Sequence, residues 1–348
     1  GLALLALWDH IFLAGMTMVL LADDAYAFMV AWEVMALSSY FLVTTDHDIP
    51  DIRRAGFLYL LIAHVGAVSL LLCFGVLQGG GLEASGDYTF ATMRNAEMTP
   101  FWASVVFLLA LFGFGAKAGL VPLHVWLPEA HPAAPSPVSA LMSGVMLKTA
   151  IYGLLRVTFD LLNVQQGWWG TLALTLGLLT ALYGVIFAAV QSDMKRLLAW
   201  SSIENIGVIV ASIGLTLILK TDGKGALAAQ TMTALLYHAL NHAFFKGLLF
   251  VGTGSVLHAT GSRHMGHLGG LMRFMPWTAW LTLIGALAIA GLPPLNGFVS
   301  EWLLLQAFLL TPGLNQPYLN MVIPVAAAAV ALAAALAAYV MVKFFGVV

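Results

Sequence analysis

Charge is scarce in this chain, and cysteine is almost absent. Asp, Glu, Lys and Arg make up 9% of its 348 residues, whereas roughly a quarter of an average soluble protein is charged. The scarcity of charge excludes an ordinary soluble domain, and the lack of a basic patch excludes a nucleic-acid partner. Hydrophobic residues make up 61% of the chain instead. This composition predicts an integral membrane protein.

Cys73 is the only cysteine in the sequence, and it lies within an apolar run. A single thiol cannot form a disulfide within the chain, complete a cysteine-held zinc site or hold an iron–sulfur cluster by itself. We therefore expect no cofactor in this chain, and we expect any redox chemistry to be performed by partner subunits.

Long apolar stretches, separated by short polar breaks, follow one another along the whole chain. Each is close to the roughly 20 residues that a helix needs to cross the hydrocarbon core. The sequence therefore predicts an all-α integral membrane protein with about ten transmembrane helices. The chain starts with Gly1, not Met, and ends within an apolar stretch, so we expect it to be a fragment of a longer protein.

One motif occurs twice. Residues 116–129 read AKAGLVPLHVWLPE and residues 288–301 read AIAGLPPLNGFVSE, an offset of 172 with seven of fourteen positions identical. Each copy interrupts an apolar run with Gly and Pro, which a bilayer tolerates where the freed backbone groups line a cavity or contact polar groups. We predict two inverted five-helix repeats, residues 1–165 and 166–348, with one broken helix in each. Paired broken helices of this kind indicate a transport site.

Six ionisable side chains fall in or beside the predicted helices, where charge is costly. They are Glu33, Lys117, Lys148, Glu204, Lys246 and Glu301. Such residues usually face a polar interior and often mark an ion pathway; the alternative is a buried salt bridge that fixes helix packing. Lysine and glutamate suit proton transfer, because burial and neighbouring charges change how readily each releases its proton. One hypothesis is that Glu33 faces Lys117 and controls its proton.

His238, His242 and Lys246 recur at i, i+4 and i+8 in LLYHALNHAFFKGLLF. This spacing places the three side chains near one face of a helix. Because imidazole titrates near physiological pH, the stripe is typical of a proton relay. Zinc binding is an alternative, but the HExxH glutamate is absent and no third ligand is apparent. Histidines that only form structural hydrogen bonds are the other alternative.

Further candidates lie near the breaks. His64 is 174 residues before His238, close to the repeat offset, and could be its counterpart. His124 and Glu129 flank the first break, where unpaired backbone groups attract polar side chains and water; Glu129 could equally be an ordinary loop end. Glu301 has the same repeat position as Glu129 but precedes an apolar run. We therefore expect Glu301 inside the membrane, as the terminal exchange group of the second half.

Five segments together make a specific pattern: AWEVMALSSYFLV, AKAGLVPLHVWLPEAHPAAPSPVSALMSGVMLKTAIYGLLR, DMKRLLAWSSIENIG, LLYHALNHAFFKGLLF and AGLPPLNGFVSEW. With them, nearly the whole chain resembles the antiporter-like proton-translocating subunits of respiratory complex I, membrane-bound hydrogenases and multisubunit cation/proton antiporters. The last segment, with SIENIG and HMGHLGGLMR, most resembles the branch found in hydrogenase-4 and formate hydrogenlyase.

The resemblance implies that protons cross a hydrated polar axis that runs through both halves. By motif matching in the first half, Glu33 stands for the glutamate of the family's fifth helix. Lys117 stands for the lysine of the broken seventh helix, and Lys148 for the bridging lysine of the eighth.

In the second half, the resemblance makes His238, His242 and Lys246 the connecting residues of the family's eleventh helix. Glu301 stands on the broken twelfth helix, where relatives carry either lysine or glutamate. Glu204 lies where relatives vary, so the resemblance assigns it no firm role.

The resemblance also implies a setting for the chain. It would be a multi-pass subunit of the bacterial or archaeal inner (plasma) membrane, assembled with other membrane subunits of a respiratory or hydrogenase complex. It would have no catalytic centre of its own, and it would move protons driven by redox chemistry elsewhere in that complex. The alternative is a subunit of a multisubunit sodium/proton antiporter. A third hypothesis, an intramembrane enzyme with histidine-bound metal, requires stoichiometric bound metal.

Overall fold

The computed structural model describes residues 2–79 and 86–348. Within these ranges the chain is helical and forms no β-strand. The helices of the first half are α1 Leu2–Leu21, α2 Ala25–Val43, α3 Pro50–Gln78, α4 Phe90–Asn95, α5 Pro100–Ala118, α6 Leu127–Ala133, α7 Ser136–Leu141 and α8 Leu147–Leu155. Those of the second half are α9 Gly167–Val190, α10 Met194–Thr221, α11 Gly225–Thr260, α12 Pro276–Ile289, α13 Asn296–Leu309 and α14 Pro317–Val347.

The helices have the length and composition of membrane spans. In the described part of the chain, eight are long and apolar enough to cross a bilayer, counting α5 with α6 and α7 with α8, and α12 is a shorter apolar helix. The 36-residue α11 is also long enough to cross, but it carries the polar stripe of His238, His242 and Lys246. The prediction of an all-α membrane protein is confirmed.

The chain divides into two compact units. The first comprises Gly1–Val138 and Val145–Trp169, and the second comprises Ser139–Gly144 and Gly170–Val348. The proposal that residues 1–165 and 166–348 are inverted repeats stays a prediction.

In the first unit, an aromatic cluster fills the space between helices. α1 packs against α2, and α3 packs against α5. Phe28 of α2 contacts Phe74 of α3 edge to face, with ring centroids 5.4 Å apart, and Phe114 of α5 with centroids 6.0 Å apart. Buried aromatic pairs of this geometry stabilise packing beyond the area that they bury. The cluster fixes the helices that surround the first break.

In the second unit, α10 is the central helix. Its apolar span is buried throughout, and α10 packs against α11, which also contacts α12 and α13. A helix that is buried on every side must place its polar residues in the interior as well. Glu204 and Asn205 of α10 are therefore interior side chains, at 3% and 2% exposure.

The two copies of the repeated motif end their helices in the same way. α5 stops at Gly119, whose φ is 85°, and α12 stops just before Gly291, whose φ is 66°. Only glycine adopts this left-handed conformation without steric cost, and it commonly follows the last helical residue. Three residues later, each copy has a cis peptide bond, Val121–Pro122 and Pro293–Pro294. The breaks predicted from Gly and Pro are thus present, at equivalent positions.

The second break brings α13 against the end of α12. A Cβ at Gly297 would lie 1.8 Å from the carbonyl oxygen of Ala288. No side chain fits at that distance, so the helices must separate if one is added. The close approach therefore depends on glycine at position 297.

Gly297→Ala is expected to destabilise the protein by about 1–3 kcal/mol, the usual cost of overpacking. The measurement is the apparent melting temperature of the detergent-solubilised complex. Gly247→Ala in α11 is the control, because its Cβ would meet no atom within 4 Å. Equal melting temperatures for the two variants would contradict the close approach.

Candidate functional site

Lys117 lies at the first helix break and is buried. It belongs to the last turn of α5 and is 2% exposed. The indole Nε1 of Trp126, beyond the break, donates to the carbonyl of Ala116 at 2.9 Å. This bond satisfies one of the carbonyl groups that the end of a helix leaves without an amide partner. It also holds the chain beyond the break against the turn that carries Lys117.

A tyrosine, not a carboxylate, accepts the hydrogen bond of Lys117. Its Nζ donates to Tyr59 Oη at 2.8 Å, and Tyr59 Oη is 2.5 Å from Ser39 Oγ. The ammonium also lies 4.9 Å from the ring centroid of Tyr59 and 5.9 Å from that of Trp32. Such cation–π contacts stabilise a buried cation. Lys117 therefore begins a chain of hydroxyl groups that runs from α5 through α3 to α2.

Sequence reasoning did not single out Tyr59 or Ser39. Both are polar residues inside apolar helices, and Ser39 belongs to the segment AWEVMALSSYFLV on which the family resemblance rests. The place of Ser39 in that segment was the sequence signal that could have identified it. The register of α3 against α5, which brings Tyr59 to Lys117, cannot be read from either helix alone.

A histidine lies beside the carboxylate of Glu33. His64 Nε2 lies 3.6 Å from Glu33 Oε2, and the two side chains are 49% and 34% exposed. Among the described residues, Glu33 and Lys117 form no direct ion pair, so the Glu33–Lys117 contact considered from the sequence is not formed in this state. His64, which the sequence offered as one possible counterpart of the buried His238, lies on an exposed face.

The remaining candidates of the first unit lie around the break and on the next helix. His124 is buried in the 3₁₀ turn Leu123–Trp126, whereas Glu129 is exposed in the first turn of α6. Lys148 is half-buried in the first turn of α8 and lies two residues after the π-helical turn Met142–Met146. π-turns of this kind often occur at functional sites.

The stripe on α11 is buried as a whole. His238 is 4% exposed, and His242 and Lys246 are fully buried. The Nζ of Lys246 donates to the main-chain carbonyl of Leu198 in α10 at 2.9 Å. A neutral oxygen is thus the hydrogen-bond acceptor of this ammonium, as it is for Lys117.

His238 connects three helices. Its Nε2 is 3.1 Å from Asn205 Oδ1 of α10, and its Nδ1 is 3.0 Å from Ser300 Oγ of α13. Asn205 Nδ2 in turn donates to Glu204 Oε2 at 2.6 Å. The resemblance gave Glu204 no firm role. In the structure, Asn205 connects Glu204 to His238 through hydrogen bonds.

Glu301 lies against the second break. Its Oε2 is 2.4 Å from the place that a Cβ at Gly291 would occupy. Its carboxylate also interacts electrostatically with that of Glu204.

Asn241 of α11 holds the start of α13, donating to Asn296 O at 2.8 Å and accepting from Asn296 Nδ2 at 3.1 Å. The second unit thus brings two carboxylates, a histidine and a lysine together around a broken helix.

Metal ligands are not clustered in the part of the chain that the structure describes. Residues 2–79 and 86–348 contain no group of three or more His, Cys, Asp or Glu side chains that could hold a metal ion. The chemistry of the site is instead that of proton donors and acceptors in hydrogen-bonded series.

Known proteins resemble this chain over nearly all of its length. The model of the family described as NADH:quinone oxidoreductase/Mrp antiporter, TM, matches residues 22–325. Hydrogenase-4 component B of Escherichia coli (strain K12) is 45% identical over 350 residues, covering 100% of this chain and 51% of that protein. Formate hydrogenlyase subunit 3 of the same strain is 35% identical, covering 97% of this chain and 54% of that protein.

The fold also matches a solved structure. A chain of the Mrp complex from Dietzia sp. DQ12-45-1b has a TM-score of 0.83 at 33% identity, covering 96% of this chain and 35% of that one. The family resemblance read from the motifs, including its hydrogenase-type branch, is confirmed. The chain spans about half the length of the two curated relatives.

Proposed function

The chain belongs to the NADH:quinone oxidoreductase/Mrp antiporter transmembrane family, and on this premise we propose that it is a proton-translocating membrane subunit of a hydrogenase-type or quinone-reducing respiratory complex. The complex would lie in the inner (plasma) membrane of a bacterium or archaeon. Redox chemistry in partner subunits would drive the protons, because this chain supplies proton carriers and would hold no redox centre itself.

One observation carries the proposal. Lys117 and Lys246 are at most 2% exposed, and within residues 2–79 and 86–348 neither forms an ion pair. Lys117 donates to a phenol and Lys246 to a main-chain carbonyl. A buried lysine that serves only packing is normally held by a carboxylate. Lysines whose hydrogen bonds go to neutral oxygens suit the exchange of protons. Lys246 also interacts electrostatically with the Glu204 carboxylate, a group that can accept a proton.

We propose a pathway that runs through both units. The carriers in the first unit are Glu33, Lys117 and Lys148, and those in the second are His238, His242, Lys246 and Glu301. His64, His124, Glu129 and Glu204 are accessory. Residues 1–165 and 166–348 would be inverted repeats, which the equivalent glycines and prolines of the two breaks support. Each break would give the proton access to one side of the membrane.

A second candidate function is sodium/proton exchange. Its support is the likeness to Na(+)/H(+) antiporter subunit A1 of Staphylococcus haemolyticus (strain JCSC1435), which is 34% identical over 302 residues, covering 86% of this chain and 37% of that protein. The same buried carboxylates and lysines could exchange a sodium ion for protons. A sodium gradient alone would then drive proton movement, without electron transfer.

The test measures proton uptake by sealed vesicles that contain the assembled complex, while electron transfer is followed separately. Wild-type vesicles should acidify only during electron transfer. Lys148→Met should lower the protons moved per electron by about tenfold or more, since a positioned proton carrier contributes at least that much.

The matched control is Lys343→Met, because Lys343 is a half-buried lysine of α14 that has no place in the proposed pathway. Its Nζ donates to the main-chain carbonyls of Ala189 and Gln191 at 2.8 and 2.7 Å. Its removal should leave the ratio of protons to electrons unchanged. If wild-type vesicles acidify only when a sodium gradient is applied, the proposed function is wrong and the sodium/proton antiporter function takes its place.

A further inference from the structure

The amide of Asn205 has a single possible orientation. One side of this buried side chain faces the main-chain carbonyl of Ser201 at 2.9 Å and Glu204 Oε2 at 2.6 Å. A main-chain carbonyl can only accept a hydrogen bond. The amide nitrogen must therefore face Ser201 and Glu204, and both of its hydrogens are used. The amide oxygen is left to face His238.

This orientation determines where His238 carries its hydrogen. The amide oxygen is only an acceptor, and it lies 3.1 Å from His238 Nε2. Nε2 must therefore be protonated whether the imidazole is neutral or positively charged. The additional proton of the positively charged imidazole is therefore the one on Nδ1, and the neutral imidazole lacks it.

Ser300 can accommodate both states of Nδ1. Its Oγ lies 3.0 Å from His238 Nδ1 and 3.0 Å from the carbonyl of Gly297. When the imidazole is neutral, the hydroxyl donates to Nδ1. When Nδ1 is protonated, the hydroxyl accepts from it and donates to Gly297. Rotation of one hydroxyl group is enough to pass between the two states.

We propose that Asn205 is a positioning residue that fixes His238 in the Nε2–H form, so that His238 exchanges its proton only through Nδ1, towards Ser300 and α13. The imidazole would then not pass a proton from one nitrogen to the other. His238 receives and returns protons on the side of the broken helix. The charged and titratable groups around it are Glu204 on α10, His242 and Lys246 on α11, and Glu301 on α13. The transport role of this exchange rests on the proposed function, but the tautomer does not.

The test is ¹⁵N solid-state NMR of the assembled complex with ¹⁵N-labelled histidine. The His238 signals are identified by their loss in His238→Gln. At a pH where His238 is neutral, the wild type should show a protonated Nε2 and a bare Nδ1. The opposite tautomer in the wild type would overturn the proposal, whatever the variants do.

Two variants separate positioning from packing. Asn205→Leu removes the acceptor and should give a mixture of tautomers. Asn205→Gln keeps an amide that can donate to Ser201 and Glu204 while its oxygen faces Nε2, so it should retain the wild-type form. Asn241→Leu, which removes a different buried amide of the same unit, should also retain it. A wild-type tautomer in Asn205→Leu would overturn the role of Asn205.

A transport measurement on the same samples distinguishes the two proposals. Asn205→Leu should lower the protons moved per electron severalfold, and Asn205→Gln should restore most of the loss. If the tautomer is as expected but the wild-type complex moves no protons, the proposed function fails and the positioning role stands. If protons move normally but Nδ1 carries the hydrogen of neutral His238, the positioning role fails alone.

Discussion

Replacing Lys117 by alanine is expected to abolish proton translocation, with a fall of about a hundredfold in protons moved per electron, a typical contribution of a positioned proton-transfer group. The lysine is 2% exposed and donates to Tyr59 at the first break. Its removal leaves Tyr59 and Ser39 without the group that supplies or takes their proton. The measurement is acidification of sealed vesicles, with electron transfer and assembly of the complex followed in parallel.

Lys117→Arg tests whether the proton or only the positive charge of Lys117 matters. Arginine keeps the cation and its contact with the aromatic rings, but it does not release its proton in proteins. We expect Lys117→Arg to assemble and to translocate as poorly as Lys117→Ala. Tyr59→Phe removes only the hydroxyl group, so a smaller loss is expected. Normal translocation by Lys117→Arg would make Lys117 a structural cation and remove it from the pathway.

Glu301→Gln is expected to cause the second large loss, again about a hundredfold in protons moved per electron. Glutamine has nearly the same shape, so the packing of the carboxylate against Gly291 at the second break should persist. What disappears is the ability to bind and release a proton. The vesicle assay applies, and the melting temperature of the complex should remain unchanged.

The matched control is Glu129→Gln, which changes the residue at the same position of the first motif copy. Glu129 is exposed in the first turn of α6, whereas Glu301 lies against a break and interacts with Glu204. We therefore expect Glu129→Gln to lower translocation much less than Glu301→Gln, because Glu129 is an exposed, accessory group of the pathway. Equal losses in the two variants would contradict the assignment of Glu301 as the terminal exchange group.

Local sequence signals predicted the features that depend on one segment of the chain. Glycine and proline predicted both breaks, since they alone satisfy a left-handed turn or remove a backbone donor. The spacing of His238, His242 and Lys246 predicted a shared helix face, because 3.6 residues complete a turn. The structure places this face in the interior of the second unit.

The partners of these residues could not be predicted in the same way. Tyr59 meets Lys117 across 58 residues of sequence, and Asn205 meets His238 across 33. Each contact depends on the register between two packed helices, which the size and shape of all the intervening side chains determine. The repeat offset also failed to predict whether matching side chains are exposed or buried. His64 and His238 are nearly one offset apart, yet one is exposed and the other buried.

The position of Lys117 at the end of a half-helix determines the charge of its site. The last carbonyl groups of a helix lack amide partners, so its C-terminal end carries a partial negative charge of roughly half an elementary charge. Lys117 lies in that last turn, and the helix end acts in place of a counter-ion. If Lys117 releases its proton, the site keeps only this partial negative charge of the helix end. A lysine paired with a carboxylate would instead leave a full negative charge inside the bilayer, so the broken helix lets the proton depart without leaving such a charge behind.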